Sequence, residues 1–205
     1  MYDTVLALPE WLGLARLRKR LFEGRVLEIG AGTGANADYL AHAELLVESD
    51  PDVGLLRRAG TRAVRSGIRR TRVVARAETL PFPGAAFDAT IATLVLCSVQ
   101  DPTLALRELA RVTRAGGRLQ ILEHVRSARP LVSALQSALT PSWSRVAGGC
   151  QLDRDPDDDL LGSGWVLTAR RSHLGGLLIV EEARLAAVGE GTLTRMLDAP
   201  RRGSL

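Results

Sequence analysis

The chain has 205 residues, of which 46% are apolar and 24% charged, proportions of one globular domain and not of a disordered chain. The net charge is +4, but the arginines are scattered, Lys19 is the only lysine and aromatic residues make up just 4%, which argues against a nucleic-acid partner. No apolar run reaches the roughly 18 residues that cross a bilayer, and Met1–Pro9 lacks the basic start of a signal peptide, so a cytoplasmic protein without a transmembrane segment is expected.

In chain order, Trp11, Leu14, Leu17 and Leu21 share one face of an amphipathic helix that Gly24 ends. Arg25–Ile29 reads as a first strand, followed by a glycine-rich turn and a helix over 35–43. Leu45–Ser49 is a second strand, with a helix near 53–66 after Asp50-Pro51, then a third strand over 72–75 and a fourth over 88–96. Pro102–Thr113 carries Leu104, Leu106, Leu109 and Val112 at helical spacing and is closed by Gly116-Gly117, with a fifth strand over 118–125. Further on come a helix over 130–140, a short acidic helix over 155–161, and strands at 165–170 and 177–184. The alternation implies an α/β fold, a doubly wound, mostly parallel seven-stranded Rossmann-like sheet closed by a C-terminal antiparallel hairpin. The expected divisions are an N-terminal helix or lid (1–24), a catalytic domain (25–188) with a lid insertion at about 127–163, and a flexible tail (189–205).

The stretch Val26-Leu27-Glu28-Ile29-Gly30-Ala31-Gly32-Thr33-Gly34 is the most informative. A strand enters a turn whose glycines permit positive φ and let backbone N–H groups face a ligand. Gly30, Gly32 and Ala35 also satisfy a relaxed dinucleotide pattern, and Asp50 stands where either cofactor's ribose would be read. Glu28 disfavours the nicotinamide alternative: its carboxylate would repel a pyrophosphate and suit a cationic sulfonium ligand.

Four ordered motifs over about residues 20–125 then carry a resemblance: V-L-E-I-G-A-G-T-G, E-S-D-P, A-E-T-L-P-F-P-G-A-A-F-D and L-R-E-L-A-R-V-T-R-A-G-G-R-L. Together they resemble the class I S-adenosylmethionine-dependent methyltransferases of the ubiquinone-biosynthesis-like group. A narrower likeness, in T-L-V-L-C-S-V, E-H-V and P-S-W-S-R-V-A-G-G-C-Q-L-D-R-D, is to the methyltransferase-like thiol S-methyltransferases and their bacterial relatives. That family includes membrane-anchored members whose long apolar anchor is not found here; the N-terminal helix is a candidate for peripheral membrane contact.

The resemblance implies a residue-by-residue assignment. Glu28, Gly30, Ala31, Gly32 and Gly34 would hold the amino-acid end of S-adenosyl-L-methionine, and Asp50, with Pro51 beside it, would accept from the ribose hydroxyls. Ala77 and Glu78 would flank adenine, while Thr93 and Leu94 would line the methionine portion. Arg76 stands where the related pattern has an acid, which leaves adenine to backbone groups near Ala77. His124, at the exit of the fifth strand, is a candidate base, with a structural histidine as the alternative. Trp11, Trp143, Cys150 and Arg154 would form the acceptor lid, with Arg154 and Asp155 pairing to fix it or Asp155 capping a helix at Pro156. Asp155 is also a catalytic candidate. Cys97 reads as core packing, and with only Cys97 and Cys150 no disulfide framework and no metal are expected.

Methyl transfer to a small lipophilic thiol is the leading expectation, because a thiol of pKa about 8.5 needs little help to ionise. Transfer to a quinone carbon, an amine, an oxygen or a phospholipid headgroup is the alternative, and a non-catalytic cofactor-binding partner protein is the reading from a different class.

Overall fold

The structure, a computed structural model, describes residues 22–40, 42–62, 68–160 and 162–186, together with residue 17. Its elements in chain order are β1 (Gly24–Ile29), β2 (Ala43–Asp50), α1 (Val53–Thr61), β3 (Arg69–Val74), β4 (Phe87–Thr93), α2 (Pro102–Val112), β5 (Thr113–His124), α3 (Pro130–Val146), α4 (Asp157–Leu160), β6 (Trp165–His173) and β7 (Leu178–Leu185). The seven strands form one sheet in the order β3-β2-β1-β4-β5-β7-β6. Every pairing is parallel except the two made by β7, which runs antiparallel to β5 and β6. This is the sheet expected from the alternation of elements.

Its faces are covered unequally in sequence but continuously in space. Leu27, Ile29, Ile121 and Leu119 pack against Ala105, Leu106, Leu109 and Val112 of α2, all 1% exposed or less. Burying each such leucine or isoleucine contributes about 1.5–3 kcal/mol. On the other face Val26, Leu46, Ala89 and Ile91 pack with Phe22 and Leu40. Helix α2 forms where the apolar spacing predicts it, and Asp101 accepts the Leu104 N–H at 2.8 Å ahead of Pro102, satisfying one of the free donors of the first turn.

Several boundaries move. The helix expected over 35–43 is a single 3-10 turn, Ala37–Tyr39, and β2 begins at Ala43. Gly116-Gly117 does not close α2: β5 begins at Thr113 and runs through the pair, and a Cβ on Gly117 would lie 2.4 Å from Thr113 Cγ2, 2.8 Å from the Arg114 carbonyl and 2.9 Å from the Asp88 carbonyl of β4. The irregular start of β5, folded close on itself and on β4, explains that glycine. Asp88 itself accepts Arg25 N–H at 2.8 Å and pairs with Arg114 at 2.7 Å, a sheet-edge tie. The fourth strand stops at Thr93, because Leu94 takes positive φ (54°) and turns the chain. Helix α3 continues through Pro141 to Val146, so Trp143 sits on a helix and not in a loop. Trp11, the N-terminal lid and the 189–205 tail lie outside the described residues.

Candidate active site

Strands β1, β2, β4 and β5 all end at one edge, where the order reverses on either side of β1 and open α/β sheets place their ligands. After β1 the turn uses positive φ at Gly30 (58°), Gly32 (55°) and Gly34 (76°). A Cβ on Gly30 would come within 2.2 Å of Val95 Cγ2, so the turn closes on the β4 exit only without a side chain there. Asp50, the last residue of β2, is 6% exposed and clamps this turn: Gly32 N–H donates to Oδ2 at 2.9 Å and Asp52 N–H to Oδ1 at 2.8 Å. Burial raises the Asp50 pKa, while the two backbone donors work the other way. The cap of α1 is Asp52, which accepts from Gly54 and Leu55 N–H, so Asp50 does not serve as a helix cap.

A cavity of about 420 Å³ opens beside the turn, within the usual range for a small-molecule site. Of the residues assigned from the sequence, Gly30, Asp50, Pro51, Ala77, Glu78 and Leu94 line it. Arg76, Val95, Ser98, Ala147 and Gly148 line it as well. Glu28 and Thr93 stand behind the wall, joined through a residue the sequence reading missed: Asn36 Nδ2 donates to Glu28 Oε1 at 2.7 Å and to Thr93 Oγ1 at 3.0 Å. Ala31 and Gly34 build the turn itself, with Ala31 N–H on the Ser49 carbonyl (3.0 Å) and Gly34 N–H on Ala31 (2.9 Å). Glu78 accepts Gln100 N–H at 2.8 Å and lies 3.6 Å from the Arg76 guanidinium. It therefore ties the 75–80 turn to the start of α2. Glu48, also passed over, is fully buried and held by Arg70 at 2.6 Å, leaving Asp50 as the β2 carboxylate on the cavity.

The segment after α3, residues 149–154, packs over the β4 exit. Arg154 Nη1 donates to the Leu96 carbonyl at 2.9 Å and to Val99 at 2.7 Å, and Gln151 N–H donates to Cys97 at 2.9 Å. Asp153 is held to α3 by Ser137 (2.9 Å) and Thr140 (3.3 Å). Asp155 is half-buried, close enough to Glu181 to disfavour the latter's charged form.

Beneath residues 149–154 three side chains from distant parts of the chain meet: His124 Nε2 lies 2.8 Å from Cys150 Sγ, and the Cys97 sulfur lies within 4.8 Å of both. Trp143 Nε1 also donates to the Cys150 sulfur, at 3.1 Å. Hydrogen bonding from Cys97, with His124 and Trp143 adding to it, pulls the Cys150 pKa down to about 5 despite burial. The Cys97 thiol is pushed up by the same neighbour and by burial. Burial works against a charged His124, but the Cys150 and Glu123 charges outweigh it and raise its pKa. Glu123 is fully buried and its pKa rises to about 7 through desolvation, although its Oε1 accepts Val95 N–H (2.5 Å) and Leu96 N–H (2.7 Å). Cys97 is buried as expected, yet its place beside His124 and Cys150 was not legible, since residues 27 and 53 apart carry no spacing signal.

Residues 27–121 match the family model described as a methyltransferase domain. Rat thiol S-methyltransferase TMT1B is 32% identical over 142 residues, covering 67% of this chain and 58% of the relative. Demethylmenaquinone methyltransferase of Mycolicibacterium paratuberculosis is 30% identical over 204 residues, covering 88% of this chain and 86% of the relative. The chain belongs to the class I S-adenosylmethionine-dependent methyltransferases. It spans a little over half the length of the TMT1B relatives it matches, 58% of the rat and 57% of the human protein. A solved putative methyltransferase from Bacillus halodurans superimposes with a TM-score of 0.69 over 86% of this chain and 100% of that one at 15% identity, a likeness of fold. Family membership agrees with the cavity. Both Gly30 of the turn and the Asp50 carboxylate held at the β2 terminus line it. Among the described residues no helix is long and apolar enough to cross a membrane.

Proposed function

We propose that this protein transfers a methyl group from S-adenosyl-L-methionine to the sulfur of a small lipophilic thiol. Asp50 would accept from the ribose hydroxyls, the Gly30–Gly34 turn would present backbone N–H groups to the amino-acid end, and Ala77 and Leu94 would wall adenine and methionine. Glu28 and Thr93 would act through Asn36 as a positioning set behind that wall. The bound cofactor supplies an electrophilic methyl on a sulfonium. The protein's work is then alignment and exclusion of water, which the lid performs through Arg154 and Gln151.

One observation carries the sulfur reading. The Gly149-Cys150…Arg154-Asp155 segment is fastened over the β4 exit, and it brings His124, Cys150 and Trp143 together beside the cavity wall. This single imidazole suffices for an acceptor with a pKa of about 8.5. Asp155, a half-buried acid two residues beyond the Arg154 clamp's Asp153 anchor, is a positioning candidate in this reading and His124 the proton acceptor. A carbon acceptor on a quinone is the second reading, favoured by the named activity of the relative covered over 86% of its length. The test is turnover on matched panels of aryl and alkyl thiols, quinones and amines with labelled cofactor. Label on sulfur supports the proposal; inert thiols beside a reacting quinone or amine refute it.

A further inference from the structure

Cys97, His124 and Cys150 gather their side chains at one point. Three segments deliver them: the β4 exit, the end of β5 and the lid. Each residue offers one soft or borderline donor atom, and these atoms lie within 4.8 Å of one another. A tetrahedral zinc ion with Zn–S near 2.3 Å and Zn–N near 2.0–2.1 Å separates two sulfurs by about 3.8 Å and a sulfur from a nitrogen by about 3.6 Å. The existing spread brackets those separations. His124 Nε2 and Cys150 Sγ, now 2.8 Å apart, must open by about 0.8 Å to admit the ion. The opening falls to the side chains, because the backbone is held by Gly149 N–H on the Ser144 carbonyl (2.9 Å) and by Cys150 N–H on the Ala147 carbonyl (3.2 Å). The rest of the frame is held without metal, by Gln151 N–H on the Cys97 carbonyl and by Arg154 on Leu96 and Val99.

We propose that Cys97, His124 and Cys150 form a three-ligand zinc(II) site whose open fourth position takes the acceptor's sulfur. Two thiolates and an imidazole are a zinc donor set, and three protein ligands are the pattern of a site that keeps one position for substrate. Position supports the second half of the proposal. Cys97, His124 and Cys150 stand behind the cavity wall and do not line it, but Ser98 next to Cys97, Val95 two residues before it, and Ala147 and Gly148 shortly before Cys150 do. The open position of the ion would have to face the chamber between these residues. In the transfer the acceptor's proton has gone to solvent and its sulfur forms the new bond to the methyl. The old sulfonium–methyl bond breaks with its electron pair staying on the departing S-adenosylhomocysteine. This inference rests on the thiol reading, and it replaces one part of it: a zinc-bound His124 Nε2 has no lone pair left to act as base.

The experiment is a titration of the full, chelator-stripped chain with cobalt(II) and zinc(II). The site predicts one equivalent of cobalt per chain with thiolate-to-metal charge transfer and tetrahedral ligand-field bands, displaced by zinc. Cys97→Ser, Cys150→Ser and His124→Ala should each weaken zinc by more than about a hundredfold, the upper range for losing a mere outer partner. Calorimetry with S-adenosylmethionine on the same variants, expected within about threefold of the parent, shows that each retains its fold. Adding an alkyl thiol should shift the cobalt spectrum. A wild-type cobalt spectrum without thiolate charge transfer overturns the site whatever the variants do, and so does zinc affinity indifferent to all three substitutions. If thiols are methylated at full rate in chelator, the zinc proposal falls and the thiol reading stands. If cobalt binds with the expected spectrum while no thiol turns over, the ligand set stands and the thiol reading falls.

Discussion

Arg154→Ala tests whether the lid is held as its geometry implies. The substitution removes two hydrogen bonds, to the carbonyls of Leu96 at 2.9 Å and Val99 at 2.7 Å, both made by Nη1. A hydrogen bond to a charged group is worth about 1.5–3 kcal/mol, and two bonds sharing one nitrogen do not add fully, so about 2–4 kcal/mol is lost. At 1.4 kcal/mol per tenfold this raises the open population of the lid about 30- to 700-fold. Native-state hydrogen exchange reads it directly. The Gln151 amide, bonded to the Cys97 carbonyl, and the Arg126 amide, bonded to the Arg154 carbonyl, should lose protection by that factor. The amides of β1, buried at the centre of the sheet, should not. Loss of protection spread equally over the lid and β1 would mean that Arg154 supports global stability and the clamp argument is wrong.

Four other outcomes follow from the same geometry. Asp50→Ala should weaken S-adenosylmethionine by about 1–3 kcal/mol in calorimetry, the cost of leaving bound hydroxyls without their acceptor; unchanged affinity removes Asp50 from the site. Because burial raises the Asp50 pKa, the carboxylate charge that favours the cofactor is present above that raised value and lost as pH falls through it. Cofactor affinity measured down an acidic pH series should therefore begin to fall above the ordinary aspartate range, and Asp50→Asn should flatten the curve. Gly30→Ala should cost about 2–5 kcal/mol, combining a left-handed φ of 58° with a Cβ 2.2 Å from Val95, and a melting temperature within a degree of the parent contradicts this. Glu108→Ala removes the acceptor of the Leu80 N–H at 2.8 Å and the Arg111 partner, and should lower denaturant stability by about 1–2 kcal/mol.

The amino-acid sequence determined what local physics can write. Apolar periodicity and punctuation specified the alternating elements and hence the parallel sheet, because each strand and helix advertises the face it must bury. The glycine turn with Asp50 was legible for the same reason: a tight strand-to-helix turn needs glycines at the turn itself, and its acid lies at the end of the next strand. Elements whose limits depend on partners were not legible. Residues 35–43 have helical composition, but the described ones among them form one 3-10 turn at Ala37–Tyr39, since the chain must return to pair Ala43 with Gly24. Gly117 looks like a helix cap until the start of β5 folds close on itself and on β4, and Pro141 looks like a helix end although α3 continues past it. Cys97, His124 and Cys150 are separated in sequence and joined only by the β4 exit, the β5 end and the lid meeting at one edge. Asn36 bridges Glu28 and Thr93 for the same reason. Spacing along a chain encodes contacts within an element or across one turn. A contact among three segments is set by the topology of the sheet, so it becomes visible only when the sheet has been built.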